Sequence, residues 1–124
     1  KAGMTKYVTM HEMNLKKSKK MPLKDMDLAI IDLGDPWEVL PQVRKMLKSS
    51  GSVAAICPTM NQLEKLSVAF VENEFTDIEC TEHILRRIEA RDGKTRHSYQ
   101  GIGHTTYLAI ARKVHFHKKR TKKK

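Results

Sequence analysis

The run Leu28-Ala29-Ile30-Ile31, closed by Asp32 and followed by Leu33-Gly34-Asp35-Pro36-Trp37, constrains the fold of this chain more than any other stretch. A short apolar run rich in β-branched residues and bounded by turn residues reads as a strand buried on both faces. A carboxylate at the C-terminal end of such a strand stands where open α/β sheets place their chemistry. The plainer alternative is that Asp32 only caps a turn.

The segments that follow repeat this pattern. Asp35 suits a helix N-cap, Pro36 the first helical position, and Glu38 the third residue of a capping box. Leu40, Val43 and Leu47 fall at helical spacing, and Pro41 either kinks that helix or marks where its regular part begins. Gly51 is expected to cap its C-terminus. Ser52 to Cys57 is a second buried strand stopped by Pro58. Thr59 and Gln62 form a second capping-box spacing, and Leu63, Leu66 and Phe70 give a helix ending near Asn73. Thr76 to Ile88 holds a third strand region, with Ile78, Cys80 and Ile84 inward. Arg86 to Tyr99 reads as a polar loop turning at Asp92-Gly93. Thr105 to Ala111 is the last strand, and Tyr7 to Met10, by its alternation, a short first one. Strands joined by helices run parallel with right-handed crossovers. The last two lack an intervening helix and are free to pair antiparallel. The expected fold is α/β, a parallel sheet ending in an antiparallel hairpin.

Charge divides the chain into three. Residues 1–24 hold seven lysines and one acid, residues 113–124 six lysines, Arg120 and no acid, and the net charge of +10 leaves the middle at −3. The expected organisation is a basic N-terminal segment over 1–24, a folded unit over 25–112 and a basic, disordered tail over 113–124. Basic ends suit a phosphate backbone; a solubilising tail or an anionic membrane surface are the alternatives. No apolar run reaches 18 residues and no signal peptide pattern is present, so no membrane span is expected. Cys57 and Cys80 have no zinc-ligand spacing, and no metal is expected. Two lone cysteines suggest a reducing, cytoplasmic setting.

Three segments together carry a family resemblance. Ile31-Asp32-Leu33-Gly34-Asp35-Pro36-Trp37-Glu38 resembles the D-L-P-x-P-W-E segment of the tRNA adenine-N1 methyltransferases, a class I S-adenosylmethionine-dependent family. Pro58 to Gln62 resembles the family's P-x-x-x-Q segment. Gly103-His104-Thr105-Thr106-Tyr107-Leu108 with Ala111-Arg112-Lys113 is similar to its G-H-T-G-Y-L…A-R-K ending. The resemblance covers residues 5–113 and implies the C-terminal half of a Rossmann-like methyltransferase sheet. Gly34 replaces a family proline and loosens the turn that aims Asp32, and Thr106 replaces a glycine. The family's glycine-rich cofactor loop and its acidic ribose ligand have no counterpart; Gly101-Ile102-Gly103 reads as a backbone turn.

The resemblance implies S-adenosylmethionine as cofactor, a tRNA T-loop adenosine as substrate, and a homo-oligomer or a partner supplying the N-terminal methyltransferase half. It makes Asp32 the catalytic carboxylate. Asn14 and Leu33 fall on the cofactor side, although a surface-loop Asn14 explains that residue equally well. Pro36, Trp37, His104, Tyr107, Arg86 and Arg96 fall on the substrate side. For these, too, plainer roles stay open: packing for Trp37, a turn for His104, a solvated loop for the arginines. Gln62 either faces the cofactor or closes its capping box. The competing overall reading is a non-catalytic RNA-binding or structural subunit of a methyltransferase complex.

Overall fold

The computed structural model describes residues 3–98 and 105–114. Its centre is a four-stranded sheet in the order β1 (Met26–Ile31), β2 (Leu47–Cys57), β6 (Thr105–Lys113), β3 (Phe75–Ile84). Strand β1 runs parallel to β2, and β6 runs antiparallel to both β2 and β3. The last strand is thus inserted between β2 and β3. It follows that β1, β2 and β3 all point one way, with Asp32, Pro58 and Leu85 leaving the sheet at the same end.

The alternation in β2 decides the packing. Val53, Ala55 and Cys57 are buried, and the residues between them are half-buried. The register puts Ala29 and Ile31 of β1 and Tyr107, Ala109 and Ala111 of β6 on the same face. Helices α1 (Leu40–Met46) and α2 (Met60–Glu72) cover that face with Leu40, Val43, Met46, Leu66, Ala69 and Phe70. The opposite face carries Leu28 and Ile30, which are 46% and 70% exposed, with Ala54, Ile56, Leu108 and Ile110 half-buried beside them. No described helix covers it. This is one layer of helices on a sheet whose second face is also apolar, where doubly wound folds carry helices on both.

Helix α2 forms where its sequence predicts. The Thr59 hydroxyl accepts the Gln62 N–H, satisfying one of the free donors of the first turn. Pro41 falls at the start of α1, after a 3-10 turn over Pro36–Val39, so it begins the regular helix and does not kink it.

Several expectations are corrected. Tyr7 to Met10 is not a strand. A 3-10 turn covers Thr5–Tyr7, and residues 8–14 are exposed without a ladder, because no strand lies beside them to bond. Helix α1 stops at Met46 because Leu47, 2% exposed, enters the sheet opposite Met26. Gly51 is therefore no helix cap. It lies in the irregular stretch of β2 between the Leu47 and Ser52 pairings, where an added Cβ would meet the Lys48 and Met26 carbonyl oxygens at 3.0 Å. Only a residue without Cβ lets these three backbones approach so closely.

Cys80 and Ile84 were expected inward and are exposed. The pair β3–β6 extends past the end of β2 at Cys57, which is level with Tyr107 and Glu82, so Ile84 lies beyond the helical layer. The polar stretch after β3 is not wholly a loop either. Strands β4 (Ile88–Glu89) and β5 (Arg96–His97) form a small hairpin, closed by a turn in which Lys94 N–H bonds Arg91 O and Gly93 adopts φ +68°.

Candidate functional site

Asp32 follows the last residue of β1, at the end where the three parallel strands finish. Its carboxylate is exposed and has no hydrogen-bond or ion-pair partner among the described residues. A turn cap would accept a backbone N–H, so the carboxylate is free to meet something from outside.

The segment after Asp32 is held from several sides. Leu33 and Gly34 are exposed, and the Gly34 carbonyl accepts a hydrogen bond from the Gln62 side chain at 3.2 Å. Pro36 is fully buried at the start of the 3-10 turn. Trp37 is half-buried, with the Lys65 ammonium 4.2 Å from its ring centre, a cation–π contact from α2. Lys16 reaches Asp35 at 3.8 Å and also pairs with Glu38. The hydrogen bond to Glu38 raises Lys16 above the ordinary ammonium range, helped by the charges of Glu38 and Asp35. Asp35 itself makes no side-chain cap; its carbonyl receives the Glu38 N–H at 3.1 Å.

Asn14 stands in a turn, not at a strand end. Its side-chain oxygen accepts the Lys17 N–H at 3.2 Å, and its carbonyl accepts from Ser18. This turn reaches the site through Lys16 and through Gln42, whose side chain donates to the Lys16 carbonyl. Tyr107 lies on β6 opposite Cys57 and packs on the core from the helical side. Arg86 is exposed between β3 and β4, and Arg96 lies on β5, 3.5 Å from Glu89. Both belong to the segment leaving β3 at the Asp32 end of the sheet. A cavity of about 420 Å³ there is lined by Glu89, Arg91, Lys94, Thr95 and Arg96. His104 lies outside the described residues, as do the Gly101 to Gly103 turn and the tail beyond Val114.

A second cavity, of about 490 Å³, opens between Pro41, Arg44, Glu72, Glu74 and Lys113 at the opposite end of the sheet. Its arginine is held by three hydrogen bonds. Arg44 donates to the Glu74 carbonyl and carboxylate, both at 2.9 Å, and to the Val114 carbonyl at 2.7 Å. Lys113 donates to the Leu47 carbonyl, and burial together with the nearby Arg44 charge lowers it from the ordinary ammonium range. The grouping ties α1, β3 and the end of β6 together.

The contacts of Gln62, Lys16 and Lys65 with the Asp35 loop are what sequence reasoning missed. The prior signals were the P-x-x-x-Q and Thr59–Gln62 spacings, neither of which says which atom the glutamine holds.

No group of His, Cys, Asp and Glu able to hold a metal occurs among the described residues. Nor is any described helix long and apolar enough to cross a membrane.

Comparison with known proteins places this arrangement. Residues 1–124 match the family described as tRNA methyltransferase complex GCD14 subunit. A tRNA (adenine-N(1))-methyltransferase, TrmI, of Methanocaldococcus jannaschii is 37% identical over 94 residues, which are 75% of this chain and 33% of that protein. The crystal structure of a tRNA methyltransferase, TrmI, from Aquifex aeolicus is similar with a TM-score of 0.70 at 31% identity, covering 81% of this chain and 40% of that one. An S-adenosylmethionine-dependent O-methyltransferase from Thermotoga maritima reaches a TM-score of 0.75 at 28% identity, covering 84% and 38%. The chain spans less than half the length of each of these proteins. With a Rossmann-like methyltransferase sheet and the family match over its whole length, the chain belongs to the tRNA methyltransferase complex GCD14 subunit family.

Proposed function

We propose that this chain is the base-recognising part of an S-adenosylmethionine-dependent tRNA methyltransferase that modifies N1 of a T-loop adenosine. The observation that carries the reading is the free Asp32 carboxylate at the end of β1, on a loop held by Gln62, Lys16 and Lys65. Adenine N1 has an in-plane lone pair and needs no base to remove a proton before it attacks a methyl group. Methylation leaves the ring positively charged. A carboxylate beside the ring accepts a hydrogen bond from the exocyclic amine and stabilises that developing charge. Leu33 to Trp37 form the wall against which the base is aligned, and the adenosine first leaves its stack. Arg86 and Arg96, on the segment at the same end, meet phosphates of the flanking strand. The basic ends add affinity that falls with salt.

The cofactor-side residues Asn14 and Leu33 do not close around a ligand on their own: Leu33 is exposed. The Asn14 side-chain oxygen is engaged by Lys17, and no described strand pairs with the outer edge of β1. The methyl donor is held with a further segment that lies beside β1 and covers the Leu28–Ile30 face, from the same protein or from a partner. A specific observation also favours the second reading, a structural subunit without catalysis. The open β1 edge and apolar face suit a chain whose task is to complete another one.

Calorimetry with S-adenosylmethionine separates the two. The expected outcome is no measurable binding by these residues alone, and binding once the remaining methyltransferase half is present. Absence of binding in both cases removes the enzyme reading and leaves the structural one.

A further inference from the structure

We infer that Gln62 is a positioning residue for Asp32, acting through the Gly34 carbonyl. The inference rests on the reading of Asp32 given above and extends it to the residue that aims the carboxylate.

The hydrogen bonds fix which way the Gln62 amide points. The Thr59 hydroxyl oxygen accepts the Gln62 backbone N–H at 3.3 Å. Its own proton is then free, and it donates to Gln62 Oε1 at 3.1 Å. The amide nitrogen is left facing Gly34 O, to which it donates at 3.2 Å. The helix cap and the loop clamp are thus one chain of bonds, running from the first turn of α2 to the second residue after Asp32. A usual capping box returns the third residue's side chain to the cap backbone. Here that side chain crosses 28 positions of sequence to another loop.

The loop needs such a hold. Gly34 is exposed, has no side chain to pack, and a Cβ at that position would meet nothing within 4 Å. Glycine leaves the backbone more freedom than any other residue. The other holds, Lys16 on Asp35 and Glu38 and Lys65 on Trp37, grip residues farther along. Gln62 is the described side chain that bonds the backbone between Asp32 and Asp35.

The test replaces Gln62 by glutamate in the assembled, active methyltransferase. Gln62→Glu keeps the shape and the bond from Thr59, but sets an acceptor against the Gly34 acceptor. A negative charge in the first turn of α2 favours the helix, so thermal stability is retained. The expected result is a fall in kcat of about ten- to a hundredfold, with KM for tRNA within about threefold. Hydrogen exchange at Leu33 to Asp35 rises in the same variant. Adding Gly34→Ala, which stiffens the turn and meets no neighbour, restores part of the rate. Gln62→Met, which removes both polar atoms, gives the same direction of change. Unchanged exchange overturns the clamp, and raised exchange with unchanged kcat overturns its positioning role. A wild-type protein with no transferase activity overturns the functional reading instead, and the exchange measurement still decides the clamp.

Discussion

Asp32→Ala is expected to lower kcat for methyl transfer to tRNA by about 10²–10³-fold, the usual consequence of removing one group that stabilises transition-state charge. The structure makes this substitution a clean test. Asp32 is exposed and makes no described hydrogen bond or ion pair, so nothing in the fold depends on its carboxylate. Its loss therefore changes stability by no more than about 0.5 kcal/mol. Cofactor affinity is expected to stay within about tenfold, a difference of about 1.4 kcal/mol. Asp32→Asn keeps an oxygen able to accept from the adenine amine but loses the negative charge. If charge stabilisation dominates, its rate lies near that of alanine; if amine recognition dominates, near that of aspartate. Single-turnover rates with saturating tRNA decide this, and a rate for Asp32→Ala equal to wild type removes Asp32 from the mechanism.

The largest effect on the fold is expected from Phe70→Ala. Phe70 is fully buried on α2 and meets Phe75, at the start of β3, edge to face with ring centres 5.6 Å apart. Phe75 in turn lies under the Arg44 guanidinium, 5.6 Å from its ring centre, and Arg44 bonds Glu74 and Val114. One ring thus supports the contact of α2 with the sheet edge and, through Phe75, the Arg44 grouping. Truncation leaves a cavity and costs about 3–5 kcal/mol, a large share of the roughly 5–15 kcal/mol that holds a domain folded. Val68→Ala on the exposed side of the same helix is expected to stay within about 0.5 kcal/mol. Denaturant midpoints measure both, and similar losses for the two would contradict the assignment of the core.

The sequence was most informative where local chemistry and burial agree. Thr59, Leu66 and Phe70 mark the cap and the stripe of α2, and both are found. The apolar run before Asp32 becomes β1, but with one face buried rather than two: Ala29 and Ile31 lie under the helices while Leu28 and Ile30 are exposed, because no described helix covers that side. The buried alternation from Val53 to Cys57 becomes the centre of the sheet. It was misleading where a long-range partner decides. Tyr7 to Met10 has the alternation of a strand and no neighbour to pair with. Gly51 looks like a helix cap, but Leu47 is drawn into the sheet first, and the glycine instead lets backbones approach. Cys80 and Ile84 have the spacing of a buried face, yet β3 is the edge strand of the sheet, and Ile84 also lies past the end of β2. The place of Asp32 directly after β1 was legible from the apolar run that precedes it. The Gln62–Gly34 bond was not, because no periodicity links a helix turn to a loop 28 residues away.

The position of the methyl group on the product decides whether Asp32 serves adenine N1. The protein, assembled with the proposed segment beside β1, is incubated with unmodified tRNA and S-adenosylmethionine. A methyl on adenine N1 blocks the pairing edge and arrests reverse transcription at that nucleotide. The expected result is one new arrest, at a T-loop adenosine, that disappears with Asp32→Ala. A methyl placed elsewhere, or the same arrest in the Asp32→Ala protein, would contradict it.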